Sequence, residues 1–187
     1  MIDIFYPSQS RGNRPLVGSR VLLFALATLL TTGGCGYHLA RRGNNLPPDI
    51  RRIAIPVLEN RSMEPGLEAN LTDALRRRFA EGGWVQIVDV DESDAVLTGQ
   101  VTRFSSSPIS FSEGEFAVEY RAQLRVWLRL MDRQGVVLWE DRNLVKVREY
   151  RNSGDVFTAE AAKLDAITWL VREISAEAHD RIFDGFE

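Results

Sequence analysis

The side chains that most often carry chemistry are few in this sequence, and they lie far apart. The chain has one cysteine, Cys35, and two histidines, His38 and His179. A zinc site or a Ser-His-Asp triad needs several such groups at defined spacings, which these three do not offer. The carboxylates of Asp91 and Asp94 lie in an acidic turn where solvation explains them, and the sequence has no phosphate-binding glycine loop, G-x-S-x-G or H-E-x-x-H motif. We therefore expect no catalytic residue, no metal site, no bound cofactor and no enzymatic activity.

The chemistry that Cys35 can support is lipid attachment, because the residues before it have the layout of an export signal. The first 34 residues carry three Arg against one Asp, and the predominantly apolar run Val21–Leu30 precedes the small residues Thr31–Gly34. The alternative is a membrane-spanning helix, but this run would reach about 15 Å, whereas the bilayer core takes about 20 residues. We predict a signal peptide over residues 1–34.

An exported chain with a single cysteine cannot form an internal disulfide, so a lipid-free Cys35 would be a reactive thiol in an oxidising compartment. The residues Thr32-Gly33-Gly34-Cys35 resemble the lipobox of bacterial lipoproteins, whose cysteine carries a diacylglycerol and an N-acyl group such as palmitate. Several acyl chains anchor a protein stably, since each buried CH₂ contributes about 0.8 kcal/mol. Gly36 follows Cys35, where Asp usually marks retention in the inner membrane. The resemblance therefore implies anchoring to the outer membrane, at its periplasmic face.

The net charge of the mature chain argues against nucleic acid as a partner. Removal of residues 1–34 takes three Arg and one Asp from totals of 23 basic and 26 acidic residues, which leaves 20 and 25 and a net charge of −5. Such a chain does not have the basic surface of a nucleic-acid-binding protein. Residues 35–49 contain Arg41, Arg42, Pro47 and Pro48 and are predicted to form a lipidated tether. Residues 50–187 are then expected to form a single domain.

Hydrophobic periodicity after residue 50 predicts strands and two helices. Apolar residues recur every three or four positions over 65–80 and over 155–183, where Ser153 or Asp155 is placed to cap the helix. Residues 105–114 are predicted to form a polar loop, and 132–135 a tight hairpin turn. Strands are predicted at 50–58, 84–88, 95–104, 115–131 and 136–148. This order predicts an α+β, two-layer fold, an antiparallel sheet of four to five strands with two helices packed on one face.

The predicted strand 115–131 is the most informative element. Over residues 120–130 apolar side chains alternate with polar ones, so one face belongs to the core and the other to solvent. Arg121, Arg125 and Arg129 share the solvent face, and neighbours are about 13 Å apart at about 3.3 Å per residue. Guanidinium groups placed in this way could bind phosphate through forked hydrogen bonds. The alternative is an ordinary solvated face with cross-strand carboxylate partners such as Glu140.

Taken in order along the chain, several segments resemble the lipopolysaccharide-assembly lipoprotein family LptE. Each of these segments is short, but their order and spacing cover nearly the whole mature chain. They are Cys35-Gly36-Tyr37-His38-Leu39, the strand segment Ile53–Asn60, the helix segment Leu67–Leu75 with Glu68, Leu71 and Thr72, and Leu97-Thr98-Gly99.

This resemblance implies a role in transport of lipopolysaccharide to the outer leaflet. Family members are plugs and assembly partners of LptD, an outer-membrane β-barrel, and sit in its polar lumen. The charged sheet face and the Ser-rich segment 105–114 are the surfaces expected to suit such a lumen. Family members are also thought to bind lipopolysaccharide through basic residues. The candidates in this sequence are Arg103, Arg121, Arg125 and Arg129.

Two other functions remain open from the sequence. The segment Arg52–Val57 followed by a helix is also similar to periplasmic modules of the TolB N-terminal and CsgG kind, which serve envelope integrity or secretion pores. The other is a carrier that holds a small apolar ligand between the helices and the sheet. A plug should copurify with one large barrel, a pore former should make rings, and a carrier should hold its ligand as a monomer.

Overall fold

The computed structural model describes residues 46–111, 117–151 and 156–184. The predicted signal peptide, Cys35, the tether up to residue 45 and the predicted capping residues Ser153 and Asp155 lie outside the described residues. Within the described ranges the strands are β1 (Arg52–Ala54), β2 (Glu59–Asn60), β3 (Gln86–Ile87), β4 (Ala95–Phe111), β5 (Ala117–Asp132) and β6 (Val137–Arg151). The helices are α1 (Leu67–Gly82) and α2 (Val156–Asp184), and a short 3₁₀ turn covers Val90–Glu92.

The strands form one sheet in the order β3-β1-β4-β5-β6, with β2 also paired to β4. The three long strands form an antiparallel meander, and both helices cover one face, so the predicted α+β two-layer class is confirmed. The described sheet differs from the prediction in having six strands, of which the three short ones pair in parallel. The predicted strand 50–58 is interrupted because the chain leaves the sheet at Ile55–Leu58, where Pro56 has no N–H to donate.

The hairpin of β4 and β5 is longer than its sequence indicates. Strand β4 continues to Phe111, so the prediction of a loop from Ser105 was wrong. Ser105 and Ser107 pair with Gln123 and Arg121 of β5, and Ser106 Oγ lies 2.8 Å from the Tyr150 hydroxyl. A run of serines is typical of a loop, but here cross-strand partners fix it in the ladder. The predicted turn at 132–135 is present, with Gly135 N donating to Asp132 O at 3.1 Å.

The core lies between the sheet and the helices. The predicted apolar face of β5 is confirmed, since Ala122, Leu124, Val126, Leu128 and Leu130 have no exposed surface. Side chains from both helices complete the same apolar cluster. The main helix contributors to it are Leu71, Leu75 and Phe79 from α1, and Leu170, Ile174 and Phe183 from α2.

The turn before β4 fixes β1 in place. Asp94 Oδ2 accepts hydrogen bonds from the backbone N–H groups of Arg52 at 2.9 Å and Arg51 at 3.2 Å, and Asp94 Oδ1 accepts from Arg52 Nη2 at 2.7 Å. The Arg52 guanidinium, helped by these N–H groups, holds the pKa of Asp94 well below its usual range. The interpretation that solvation alone explains this carboxylate was therefore wrong. Asp94 joins the parallel strand β1 to the antiparallel part of the sheet.

Candidate functional site: arginines on the outer face of the sheet

The outer face of the sheet, defined here as the side opposite α1 and α2, carries all four arginines proposed from the sequence. Arg121, Arg125 and Arg129 lie four residues apart in β5, on the side opposite to the alternating residues of Ala122–Leu130 that are buried under the helices. Arg103 of β4 is the cross-strand partner of Arg125. The sheet thus brings Arg103 and Arg125 together at the centre of the row, with Arg121 and Arg129 four residues away on either side.

A β-bulge creates this pairing. Up to Val101 the odd-numbered residues of β4 face the core, and Val101 pairs with Val126. The register then shifts by one residue at Thr102, so that Arg103 pairs with Arg125 and turns outward. Thr102 Oγ1 donates to the carbonyl oxygen of Arg125 at 3.0 Å. Without the bulge, the alternation of β4 would direct Arg103 into the core.

Arg121 and Arg129 are occupied by carboxylates of β6. Arg121 donates to Glu149 Oε1 through Nε at 3.1 Å and Nη2 at 2.7 Å. Arg129 donates to Glu140 Oε1 through Nε at 3.0 Å and Nη2 at 2.8 Å, and its guanidinium lies 4.8 Å from the ring centroid of Trp127. These two residues therefore fit the alternative of a solvated face with cross-strand partners.

Arg103 and Arg125 differ from them. Neither side chain forms a hydrogen bond or ion pair with any residue that the structure describes, and both are exposed. Like charges directly opposite each other on neighbouring strands destabilise a sheet. An anionic group between them would relieve this repulsion, and a phosphate can accept forked hydrogen bonds from both guanidinium groups. The two side chains form the part of the row that is open to a ligand.

Sequence reasoning missed the apolar border of this site. Val145 of β6 is the cross-strand partner of Arg125, and Val147 pairs with Gln123, so both valines lie on the outer face. Val147 is 42% exposed. Alternation along residues 144–151 could have placed the two valines. Leu144, Lys146 and Arg148 share the face toward α2, where the long side chains of Lys146 and Arg148 reach polar or aromatic groups. The residues between them, Val145 and Val147, must then face outward. The arginine pair is thus bordered by apolar side chains on one flank.

At the Arg129 end of the arginine row, Glu140 is the carboxylate on which several donors converge. It accepts hydrogen bonds from Arg129 and Trp127, and Arg142 Nη2 lies 3.1 Å from its second oxygen. Hydrogen bonds from Arg129, and then from Arg142 and Trp127, lower the pKa of Glu140 from 4.5 to about 2. The carboxylate therefore remains charged under all but strongly acidic conditions.

The lowered pKa of Glu140 predicts a part of the acid sensitivity of the domain. Because the folded state binds this proton less readily than the unfolded chain, the contribution of Glu140 to stability is complete above about pH 4.5 and is lost as the pH falls to about 2. We expect Glu140→Gln to be less stable than the wild type at pH 7, with a free energy of unfolding that changes less between these two pH values. Urea unfolding at a series of pH values measures this, and identical pH slopes would contradict it.

A groove of about 620 Å³ lies on the helix side of the molecule. It is lined by α1 and α2 and by no strand, and its walls include Arg77, Arg172, Glu81 and Glu173. Its place and its charged walls do not match an apolar carrier pocket between helices and sheet. The described helices include none that is long and apolar enough to cross a membrane.

The fold is similar to that of several solved structures. A protein from Xanthomonas campestris superposes with a TM-score of 0.50 and 17% identity, over 71% of this chain and 87% of that one. A minor lipoprotein from Acinetobacter baumannii gives 0.48 and 20% identity, over 74% and 95%. Rare lipoprotein B from Shewanella oneidensis gives 0.47 and 19%, over 72% and 92%. At these identities the similarity of the Xanthomonas protein supports the fold alone.

The sequence comparisons identify the family. No curated protein sequence matches this chain. The family model LptE, described as lipopolysaccharide-assembly, matches residues 50–184, which include every strand and helix described above. A match over this much of the chain establishes membership, and it agrees with the resemblance seen in the short sequence segments. The chain belongs to the LptE family of lipopolysaccharide-assembly proteins.

Proposed function

We propose that this protein is an outer-membrane lipoprotein, anchored at the periplasmic face by a diacylglycerol and an N-acyl group on Cys35. It plugs an LptD-type β-barrel and assists the assembly of that barrel, through which lipopolysaccharide reaches the outer leaflet. The observation that carries this proposal is the LptE family match over residues 50–184. The sequence supports the anchor, since the predicted export signal is followed directly by Cys35.

The surface of the domain is compatible with a place inside a barrel. The lumen of a transmembrane barrel is polar, so a plug needs a compact shape and a charged surface. The outer face supplies this with ion pairs between strands, such as Arg121 with Glu149 at 2.7 Å and Arg151 with Glu119 at 2.8 Å. Such a role requires recognition and rigidity and needs no catalytic group.

We further propose that the outer face binds lipopolysaccharide through its phosphate groups. Arg103 and Arg125 make the primary contacts, because their guanidinium groups have no carboxylate partner among the described residues. Arg121 and Arg129 line the ends of the same row and contact the ligand secondarily, since Glu149 and Glu140 already occupy them. The apolar border at Val145 and Val147 would contact the part of an acyl chain that lies next to the phosphorylated headgroup.

The test compares arginines that share a face but differ in their partners. We expect the double variant Arg103→Gln/Arg125→Gln to bind lipopolysaccharide about tenfold or more weakly, because two charge-assisted contacts are lost. Arg121→Gln is the matched control and should bind within about twofold of the wild type. Both proteins should keep the wild-type free energy of unfolding within about 0.5 kcal/mol, as surface substitutions usually do.

Binding is measured by titration of the purified lipoprotein with fluorescent lipopolysaccharide, followed by competition with bisphosphorylated or monophosphorylated lipid A. The bisphosphorylated form should compete better if phosphate is the group recognised. Equal losses for the double variant and for Arg121→Gln, or no loss for either, would refute the assignment of this site while leaving the barrel-plug proposal standing.

A further inference from the structure

Helix α2 carries a second apolar stripe in addition to the one that packs on the sheet. Its members are spaced three or four residues apart, which places them on one line along a helix. This stripe, called the seam below, consists of Phe157, Ala161, Leu164, Thr168, Val171, Ser175, His179 and Ile182.

The two halves of the seam differ in burial. Val171 and Ser175 are buried where α1 lies alongside, and His179 contacts the Phe79 ring of α1 with centroids 5.5 Å apart. In the N-terminal half, by contrast, Ala161 and Leu164 are exposed, Leu164 to 52%. The same line of residues is thus core in one half of the helix and solvent-facing in the other.

Helix length explains the difference. The 29 residues of α2 span about 43 Å and the 16 residues of α1 about 24 Å, at about 1.5 Å per residue. The Arg78–Asp180 ion pair of 2.9 Å shows that the C-terminal ends of the two helices lie side by side, and together with the next contact it shows that the helices run in the same direction. Lys163 Nζ lies 2.8 Å from Glu64, just before α1 begins. The N-terminal turns of α2 therefore extend beyond α1, and their seam faces the space in line with it.

The surroundings of the uncovered half indicate what could occupy that space. Thr168 Oγ1 donates to Leu164 O at 2.9 Å, so its polar group is satisfied within the helix. Glu160 and Glu64 share the single cation of Lys163, at 3.8 and 2.8 Å. Asp165 is exposed and makes no hydrogen bond or ion pair with the part of the chain that the structure describes. The uncovered seam is apolar with an acidic border.

We propose that the N-terminal half of α2 docks an amphipathic helix of a partner protein that carries Lys or Arg beside its own apolar seam. The incoming helix would lie in line with α1 and continue its packing on α2. Large exposed apolar groups on a folded surface commonly mark an interface, and the heptad-like spacing matches helix-in-groove recognition. The acidic border selects a basic partner. This inference is independent of the barrel and lipopolysaccharide contacts proposed above.

The test uses two synthetic helical peptides with the same Leu and Ala seam, one flanked by Lys and the other by Glu. Their binding to the lipidated full chain in phosphatidylcholine nanodiscs is measured by fluorescence anisotropy, with empty nanodiscs as the blank. We expect the Lys peptide to bind at least about tenfold more tightly than the Glu peptide. Leu164→Glu and Ala161→Glu should each weaken it by about tenfold or more. Val136→Glu, at an exposed apolar position in the turn before β6, should leave it unchanged.

Three outcomes would overturn the proposal. The two peptides could bind equally, or binding could survive both seam variants. The third is self-association of the wild type in sedimentation, abolished by Leu164→Glu and without peptide binding, which would assign the seam to a second copy of this chain. Thermal melts verify that all variants fold. If Leu164→Glu does not fold, Ala161→Glu still tests the seam.

Discussion

Gly99→Ala is expected to destabilise the domain by about 3 kcal/mol, at the upper end of what an added methyl group costs in a packed core. A Cβ atom at Gly99 would lie 2.4 Å from the carbonyl oxygen of Trp127 and 2.5 Å from Leu128 Cδ2. Gly99 pairs with Leu128 across the two longest strands, so neither backbone can move without disturbing the ladder. This position also belongs to the Leu97-Thr98-Gly99 segment that resembles the LptE family.

The measurement is urea unfolding of the wild type, Gly99→Ala and Gly135→Ala. Gly135 has a φ of 81°, but a Cβ atom added there would meet no atom within 4 Å, so its substitution reports backbone strain without crowding. That strain costs about 1 kcal/mol. A loss for Gly99→Ala no greater than for Gly135→Ala would show that the strands separate easily at this point.

Gly82→Ala is expected to cost about 2 kcal/mol, although alanine normally favours a helix over glycine by about 1 kcal/mol. A Cβ atom at this position would lie 2.3 Å from His179 Nε2. The imidazole cannot retreat, because it packs against the rings of Phe79 and Phe183, with centroids at 5.5 and 4.7 Å. Its Nδ1 is also 3.0 Å from Asp180 Oδ1. Crowding between the two helices therefore outweighs the gain in propensity.

A double-mutant cycle isolates this contact. His179→Ala removes the ring, so the free energies of unfolding of Gly82→Ala, His179→Ala and the double variant should not be additive. We expect the Gly82→Ala penalty to vanish or reverse sign in the His179→Ala background. The same penalty in both backgrounds would mean that the alanine methyl group meets something other than His179.

The parts of the fold that follow from local patterns could be predicted from the sequence. The apolar alternation of 120–130 predicted the buried face of β5, and the three- and four-residue spacing predicted both helices to within two residues at each end. The Asp132–Gly135 turn followed from its residue types. These features depend on residues that are neighbours in sequence or lie one turn apart.

The features that the sequence did not reveal depend on contacts between distant segments. Strand β1 pairs in parallel with β4 because α1 carries the chain back before β4 begins. Asp94, 42 residues after Arg52 in the sequence, fixes this pairing by accepting a hydrogen bond from the Arg52 backbone. The β-bulge at Thr102 leaves no mark in composition, yet it decides whether Arg103 faces the core or the solvent. The serine run 105–107 became strand only because β5 provides its partners.

The candidate site was predictable only where it depends on a local pattern. The alternation of β5 placed Arg121, Arg125 and Arg129 on the outer face, as the structure shows. It could not show that Glu149 and Glu140 bind two of them, because that depends on the register of β6. Strand register thus reduced four equivalent candidates to the central pair Arg103 and Arg125.

The measurement that tests the proposed function most directly is copurification from the outer membrane. The lipidated protein is extracted in mild detergent, and mass spectrometry identifies its partners and the mass of the modified Cys35 peptide. The proposal predicts a large β-barrel at one-to-one stoichiometry and a diacylglycerol with an N-acyl group on Cys35. Rings of this protein alone would contradict it in favour of a pore-forming role, and a monomer without a barrel would contradict it in favour of a carrier.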